Sequence, residues 1–167
     1  MYLPETFVLA ELRRVTGSRR LLADTSALIC LDALGLLETV RHRWRLLAIT
    51  EVLAEWQAGN ARALELEILS SFPGEAELPT DRKLVNQAKV ARLPLLSEDR
   101  RILLAAEESG LPAICCLWLV AGLDSLGDLP RPQSLAARTV LAYRFRYDAK
   151  RLGIFDQMLM LIDKGET

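Results

Sequence analysis

Four acidic side chains fall at positions from which they could bind a divalent metal. Asp24 directly follows the apolar run Leu-Leu-Ala, and Glu55 lies one helical turn beyond Glu51 in a predicted helix. Asp81 and Asp99 lie at or near the starts of two further predicted helices. Carboxylates gathered in one place repel one another unless a cation is present, and hard divalent cations prefer oxygen ligands. The sequence therefore predicts a cation site, provided that the fold brings these acids together.

Helix formation alone explains some of these acids equally well. An aspartate in the first turn of a helix is favoured by the helix dipole and by capping, so Asp81 and Asp99 taken singly need no function. Asp24 differs, because a carboxylate that follows a buried strand is partly buried and must be paired, hydrogen-bonded or metal-bound. The hypothesis of a metal site depends on the coincidence of all four acids.

Short apolar strands alternate with helices along most of the chain. The predicted strands cover residues 21–23, 45–49, 93–96 and 113–117, with helices before, between and after them. Such alternation favours right-handed crossovers and a mostly parallel sheet with helices on both faces. Ligands of an open α/β sheet collect beyond the carboxyl ends of its strands, which is where the acids would lie.

Some local details depend on helix propensity and capping. Residues 61–70 are predicted to continue the helix that begins after Thr50, and residues 72–74 to form a turn. Hydroxyl side chains near helix starts are predicted as N-caps. They are Thr25, Ser26, Thr50, Thr80 and Ser97.

The length of the chain fits one domain, predicted over residues 1–167 with a core of about residues 20–125. Helical extensions are predicted at residues 1–19 and 130–167, the second with helices near 134–150 and 154–163. An apolar set on the last helix could pack on the core or support a homodimer. It consists of Ile154, Phe155, Met158, Leu159 and Ile162.

Composition excludes several other classes of protein. Hydrophobic residues make up 51% of the chain and the formal net charge is −1, as in a globular protein rather than a disordered one. One histidine, His42, and three cysteines without a CxxC spacing argue against a histidine-rich zinc site or a disulfide framework. We expect a cytoplasmic protein with no membrane span and no signal peptide, because no apolar stretch reaches the roughly 20 residues that a bilayer needs.

The segments around the acids resemble those of the PIN domain family, the ribonuclease fold of VapC-type toxins and related RNA-processing nucleases. Residues 21–28, Leu-Leu-Ala-Asp-Thr-Ser-Ala-Leu, look like the family's opening strand, and residues 49–55, Ile-Thr-Glu-Val-Leu-Ala-Glu, look like its intervening helix. Residues 81–88 and the step Ser-Glu-Asp at 97–99 are similar to its helix–strand pair. The resemblance covers roughly residues 20–120.

That resemblance implies a three-layer α/β/α fold and a metal-dependent ribonuclease. Carried over by position, the catalytic ligands of Mg²⁺ or Mn²⁺ would be Asp24, Glu55, Asp81 and Asp99. The hydroxyls of Ser26 and Ser97 would support this pocket. It also implies an RNA substrate, an antitoxin protein as partner in a toxin–antitoxin pair, and a homodimer.

Two other functions stay open on the residues alone. A PIN-like domain without useful catalysis would act as a binding module, and metal titration would separate it from the enzyme. A phosphatase with Asp24 as nucleophile, like the haloacid-dehalogenase-like enzymes, is disfavoured because it needs a second aspartate where this chain has Ser26. Three groups of basic residues could follow a phosphate backbone or be solvated helix faces. They are Arg13, Arg14, Arg19 and Arg20; Arg41, Arg43 and Arg45; and Arg144, Arg146, Lys150 and Arg151.

Overall fold

The fold is organised around a parallel β-sheet. The protein is represented by a computed structural model that describes residues 3–60, 63–70, 74–75 and 77–166. Within them the strands are β1 (Arg20–Ala23), β2 (Arg45–Ile49), β3 (Glu67–Leu69), β4 (Leu95–Leu96) and β5 (Ala113–Ile114). They are ordered β3-β2-β1-β4-β5, and each neighbouring pair is parallel. The predicted α/β class is confirmed.

The helices of the described chain precede, connect and follow these strands. They are α1 (Glu5–Gly17), α2 (Thr25–Ala33), α3 (Leu37–Arg43), α4 (Thr50–Gly59), α5 (Thr80–Ala91), α6 (Arg100–Glu108), α7 (Cys116–Ser125), α8 (Arg131–Arg144) and α9 (Ala149–Asp163). None of these helices, over the residues described, has both the length and the apolar character that crossing a membrane requires.

The chain divides into two compact units. Residues 19–115 hold the sheet and α2–α6, and residues 1–18 with 116–167 hold α1 and α7–α9. In the second unit, α7 packs on α1, α8 and α9, and α1 also packs on α9. Helices are therefore present in both predicted extensions. The helix predicted near residues 134–150 ends at Arg144, before Arg146 takes a left-handed backbone conformation (φ 54°), and the last helix begins at Ala149 instead of near residue 154. The single domain over residues 1–167 stays a prediction.

Helices cover both faces of the sheet within residues 19–115. The chain moves outward from β1 to β2 and β3 through α2, α3 and α4, returns through α5 to β4, and continues through α6 to β5. Because parallel crossovers are right-handed, these two directions place α2–α4 on one face and α5 and α6 on the other. The contacts agree, since α2 packs on α3 and α4 whereas α5 packs on α6. This is the expected three-layer arrangement.

Apolar side chains fix the middle of the sheet. β1 is hydrogen-bonded between β2 and β4, and its residues 21–23 are fully buried. The register sets Leu22 beside Leu47 and Leu95, which are also fully buried. A strand covered on both faces forms a continuous apolar run because neither face meets water. The middle strand β1 and its neighbour β2 are therefore recognisable in the sequence.

Two predicted elements are wrong in part. Residues 67–69 form β3 at the edge of the sheet, and the described residues 63–66 and 70 are not helical either. Ile68 of this strand is exposed and Glu67 is half-buried, so the apolar run that marks the other strands is missing. The last predicted strand, 113–117, ends at Ile114 because α7 begins at Cys116. Residues 61, 62, 72 and 73 lie outside the described residues.

The predicted helix caps are also wrong. The residues at the N-cap positions of α2, α4, α5 and α6 are Asp24, Ile49, Pro79 and Asp99. Thr25, Thr50 and Thr80 are instead the first residues of their helices. The hydroxyls of Ser26 and Ser97 are used elsewhere, at the carboxyl end of β1.

Candidate functional site

Asp24 occupies the centre of the candidate site, at the carboxyl end of the middle strand. It directly follows β1, and only 7% of its surface is exposed. Its Oδ2 atom accepts hydrogen bonds from Ser26 Oγ at 2.5 Å and from Ser97 Oγ at 2.8 Å. Two hydroxyl donors thus satisfy one oxygen of a carboxylate that is largely removed from water.

The same two serines tie neighbouring strand ends together. Ser97 follows β4 and is fully buried, and its Oγ accepts a hydrogen bond from the backbone N–H of Asp99 at 3.0 Å. Ser26 Oγ accepts one from the backbone N–H of Glu98, also at 3.0 Å. These bonds join the turn between β1 and α2 to the turn between β4 and α6. Ser97 therefore connects the carboxylate of Asp24 to the backbone N–H of Asp99.

This network lies where the direction of the fold reverses. From β1 the chain runs outward to β2 and β3, and from β4 it runs the opposite way to β5. The adjacent strands β1 and β4 are therefore followed by helices on opposite faces of the sheet. The crevice outside the carboxyl ends of two such strands is the usual ligand site of an open α/β sheet. Asp24, Ser97 and Asp99 lie at this crevice.

Asp99 is held by the helix that it begins. Its Oδ1 atom accepts the backbone N–H of Arg101 at 2.7 Å, which caps α6, and its Oδ2 atom accepts a guanidinium N–H of Arg101 at 3.1 Å. The hydrogen bond from the Arg101 side chain lowers the pKa of Asp99 below its usual value, so the carboxylate stays ionised. Helix capping thus accounts for Asp99 without a metal, while leaving it beside Asp24.

Glu55 approaches Asp24 from the side of β2. It lies on α4, which follows that strand, and its side chain accepts a hydrogen bond from Thr25 Oγ1 at 2.7 Å. Thr25 is the chain neighbour of Asp24, and α4 packs on α2. The exposed carboxylate of Glu55 is therefore hydrogen-bonded to the residue that follows the buried Asp24.

Asp81 lies in the first turn of α5. The pKa of the Arg101 guanidinium is raised by its hydrogen bond to Asp99, and further by the charges of Asp99 and Asp81. Asp81 is thus close enough to Arg101 for its field to act on it. The four predicted acids share the carboxyl edge of the sheet, linked through Thr25, Ser97 and Arg101.

The acids share an edge but do not converge on one point. Among the described residues, which include all four, no three of these carboxylates have oxygens within 4.8 Å of one another. A cage of four carboxylates is therefore absent from this part of the chain. Mg²⁺ usually retains several waters and takes one or two carboxylates, so Asp24 and Asp99 with water would suit it. The all-oxygen donor set also fits a hard divalent cation.

A buried ion pair beside the acids is not apparent from the sequence. Lys83 on α5 is 7% exposed, and its Nζ atom lies 2.7 Å from Glu51 Oε1 on α4. Lysine is seldom buried unless it is paired. The bond joins the first turns of the helices that carry Glu55 and Asp81, so it helps to position both acids. The pair forms because the register of α5 directs the Lys83 side chain into the protein, and this register is visible in the structure alone.

Two arginines from the basic groups, which could follow a phosphate backbone or be solvated, lie away from the acids. Arg20 and Arg45 begin β1 and β2, side by side in the register, and both form ion pairs with Glu67 of β3. The amino ends of parallel strands share one edge of a sheet and the carboxyl ends share the other. Arg20 and Arg45 therefore do not lie beside the carboxylates.

Comparison of the chain with family models, with curated proteins and with solved structures found no match. The resemblance to the PIN domain family stays a prediction.

Burial raises the pKa of Asp24 above its ordinary value of 3.8, and the hydrogen bonds from Ser26 and Ser97 oppose this rise. At pH values between 3.8 and the raised pKa, the folded protein holds a proton that the unfolded chain has released. Stability therefore falls as the pH rises through this interval and stays lower above it.

Asp24→Asn keeps an oxygen acceptor for both serines and carries no charge. We expect this variant to unfold at a higher temperature than the wild type at pH 7, and the difference to vanish below pH 3.8. Thermal unfolding followed by circular dichroism in EDTA across this range measures the effect. Glu107→Gln, an exposed change near the end of α6, is the control and should shift neither curve. A variant less stable than the wild type at pH 7 would contradict the burial argument.

The Lys83–Glu51 pair predicts an asymmetric double-mutant cycle. Glu51→Gln removes a charged acceptor 2.7 Å from the buried ammonium and should cost about 1–3 kcal/mol of unfolding free energy. Lys83→Met leaves a half-exposed carboxylate that water can reach, so it should cost less. The double variant should reveal a coupling of about 1 kcal/mol in urea unfolding. The exposed pair Glu38–Arg41 on α3 is the matched control, with an expected coupling below about 0.5 kcal/mol. Equal coupling in the two pairs would refute a special role for Lys83.

Proposed function

We propose that this protein is a metal-dependent ribonuclease that hydrolyses phosphodiester bonds of RNA. Its metal ligands come from Asp24, Glu55, Asp81 and Asp99, with Ser26 and Ser97 orienting Asp24. The observation that carries the proposal is the bond from Ser97 to the buried Asp24, because it sets two carboxylates at the crevice between β1 and β4. Carboxylates that lie at the same crevice are suited to a divalent cation.

The reaction is a displacement at phosphorus. A water oxygen bonds to phosphorus as the bond to one ribose oxygen breaks, and the proton released by the water ends on the leaving oxygen, giving a phosphate monoester and an alcohol. Mg²⁺ or Mn²⁺, when bound, supplies the charge stabilisation and the lowered pKa of water that such a displacement needs. The exposed carboxylates of Glu55 and Asp81 can orient the attacking water by accepting its hydrogen bond.

The chain's own residues prepare this site before a metal arrives. Ser26 and Ser97 fix the rotamer of Asp24 through its Oδ2 atom. The backbone N–H of Arg101 fixes Asp99 through its Oδ1 atom. Two carboxylates held by independent bonds need little rearrangement on binding, which favours both affinity and reaction rate.

A PIN-like binding module without catalysis is the second candidate, and one observation favours it. Three of the four acids accept hydrogen bonds within the chain without a metal: Asp24 from serine hydroxyls, Glu55 from Thr25, and Asp99 from Arg101. Such a module would bind RNA or a protein at the same edge without cleaving anything.

The proposal includes a cytoplasmic setting, a homodimer and an antitoxin protein as partner. The antitoxin and the homodimer follow from the resemblance of residues 20–120 to VapC-type toxins, and the cytoplasmic setting follows from the composition of the chain. A second copy of the chain or a small inhibitor that covers the acidic edge would regulate cleavage directly.

The test is cleavage of labelled single-stranded and structured RNA by the purified protein in Mg²⁺, Mn²⁺ or EDTA. We expect cleavage in either metal and none in EDTA. The double variant Asp24→Asn, Asp99→Asn should lose about 100-fold or more of the rate, because ligands of a catalytic metal contribute several kcal/mol. Glu107→Gln on α6 should cleave like the wild type.

Thermal shift with Mn²⁺ in the same samples separates the two candidate functions. A ligand at about 100 times its dissociation constant stabilises a protein by about 2.7 kcal/mol, so the wild type should melt later in Mn²⁺ and the double variant should not. Cleavage that survives the double substitution would reject the assigned site. Absence of both cleavage and a Mn²⁺-dependent shift in the wild type would reject the nuclease and leave the binding module.

A further inference from the structure

We propose that Arg101 is an internal counter-cation of the acidic site, which neutralises Asp99 in the metal-free protein and competes with the divalent cation for it. This inference rests on the proposed function and adds a regulatory element to the same site. It predicts that the guanidinium must leave Asp99 for the metal to bind with full affinity.

The contact between Arg101 and Asp99 is divided between the two carboxylate oxygens. Oδ1 accepts the backbone N–H of Arg101 at 2.7 Å, whereas Oδ2 accepts the guanidinium at 3.1 Å. The backbone bond is part of the helix cap and does not depend on the side chain. Displacement of the guanidinium would therefore free Oδ2 while the backbone cap still holds Asp99 through Oδ1.

The Arg101 side chain is free to make this exchange. It is 83% exposed, so its release into water breaks no apolar packing and leaves no buried charge. An exposed ion pair is weak because water screens it, so a divalent cation can displace the guanidinium from Asp99. By contrast, Lys83 is buried against Glu51 and cannot exchange in this way.

The position of Arg101 makes it more than a cap residue. The negative field of Asp81 also reaches its guanidinium, so one positive charge acts on both Asp99 and Asp81. Asp24 and Glu55 are instead contacted by hydroxyls. Because a cation at Asp99 would meet the Arg101 charge at close range, repulsion between the two lowers metal affinity.

The experiment is a Mn²⁺ titration of the full chain by calorimetry at low ionic strength, comparing three single variants with the wild type. Arg101→Gln removes the charge and retains a polar side chain. Arg100→Gln removes one charge from the neighbouring exposed position at the start of α6 and controls for net charge. Arg101→Lys restores the charge. Circular dichroism melts in EDTA check that all of them fold.

We expect Arg101→Gln to bind Mn²⁺ about two- to fivefold more tightly than Arg100→Gln, which corresponds to an exposed ion pair of up to about 1 kcal/mol. Arg101→Lys should return towards the wild-type affinity. The difference between the two glutamine variants should shrink at high salt, because the interaction is exposed.

Two failures can be told apart. If the wild type binds Mn²⁺ and the two glutamine variants bind it equally, the counter-cation role is refuted while the metal site stands. If neither the wild type nor Arg101→Gln binds Mn²⁺, the proposed metal site fails and this inference fails with it. Binding by Arg101→Gln alone would support the inference in its strongest form.

Discussion

Two hydroxyl hydrogen bonds to one buried carboxylate oxygen hold the carboxyl edge of the sheet together. Asp24 ends the central strand, where burial works against its charge, and Ser26 and Ser97 offset part of that cost. Ser97 comes from the neighbouring strand β4, so the same bonds that satisfy Asp24 also set the distance between β1 and β4 beyond the backbone ladder. The placement of Asp99, and through it of Arg101, follows from this contact.

Because the strands are parallel, the arginines at their starts and the acids after their ends lie at opposite edges of the sheet. Every strand of the described sheet begins at one edge, where Arg20 and Arg45 share Glu67, and ends at the other, where the acids gather. Helices that follow parallel strands point their N-termini towards the carboxyl edge, and the partial positive charge there favours aspartate and glutamate. The fold therefore tolerates a concentration of acids at this edge before any ligand is considered, and helix dipoles alone would select some of them.

The parts of the fold that the sequence predicts are those whose cause is local. β1 and β2 are continuous apolar runs because both of their faces are covered. β3 is a three-residue edge strand of mixed burial within a stretch rich in Ala, Leu and Glu, whose helix propensity points the wrong way until pairing with β2 overrides it. The burial of Asp24 can be predicted because this residue directly follows the apolar run of β1. The pairings of Arg101 with Asp99 and of Lys83 with Glu51 depend on helix register and rotamer, which a single sequence does not display.

A buried carboxylate is a poor choice for stability alone at this position. Above pH 3.8, the burial of Asp24 opposes folding, and an uncharged acceptor would satisfy the two serines equally well. The neighbouring acids Glu55 and Asp99 are less buried than Asp24. They accept hydrogen bonds from Thr25 and Arg101, respectively. Destabilising, charge-bearing groups collect at functional sites because chemistry needs the charge and the rest of the fold supplies the stability. A bound divalent cation would make the negative charge of Asp24 favourable for the stability of the folded protein, because the buried carboxylate would then be a metal ligand.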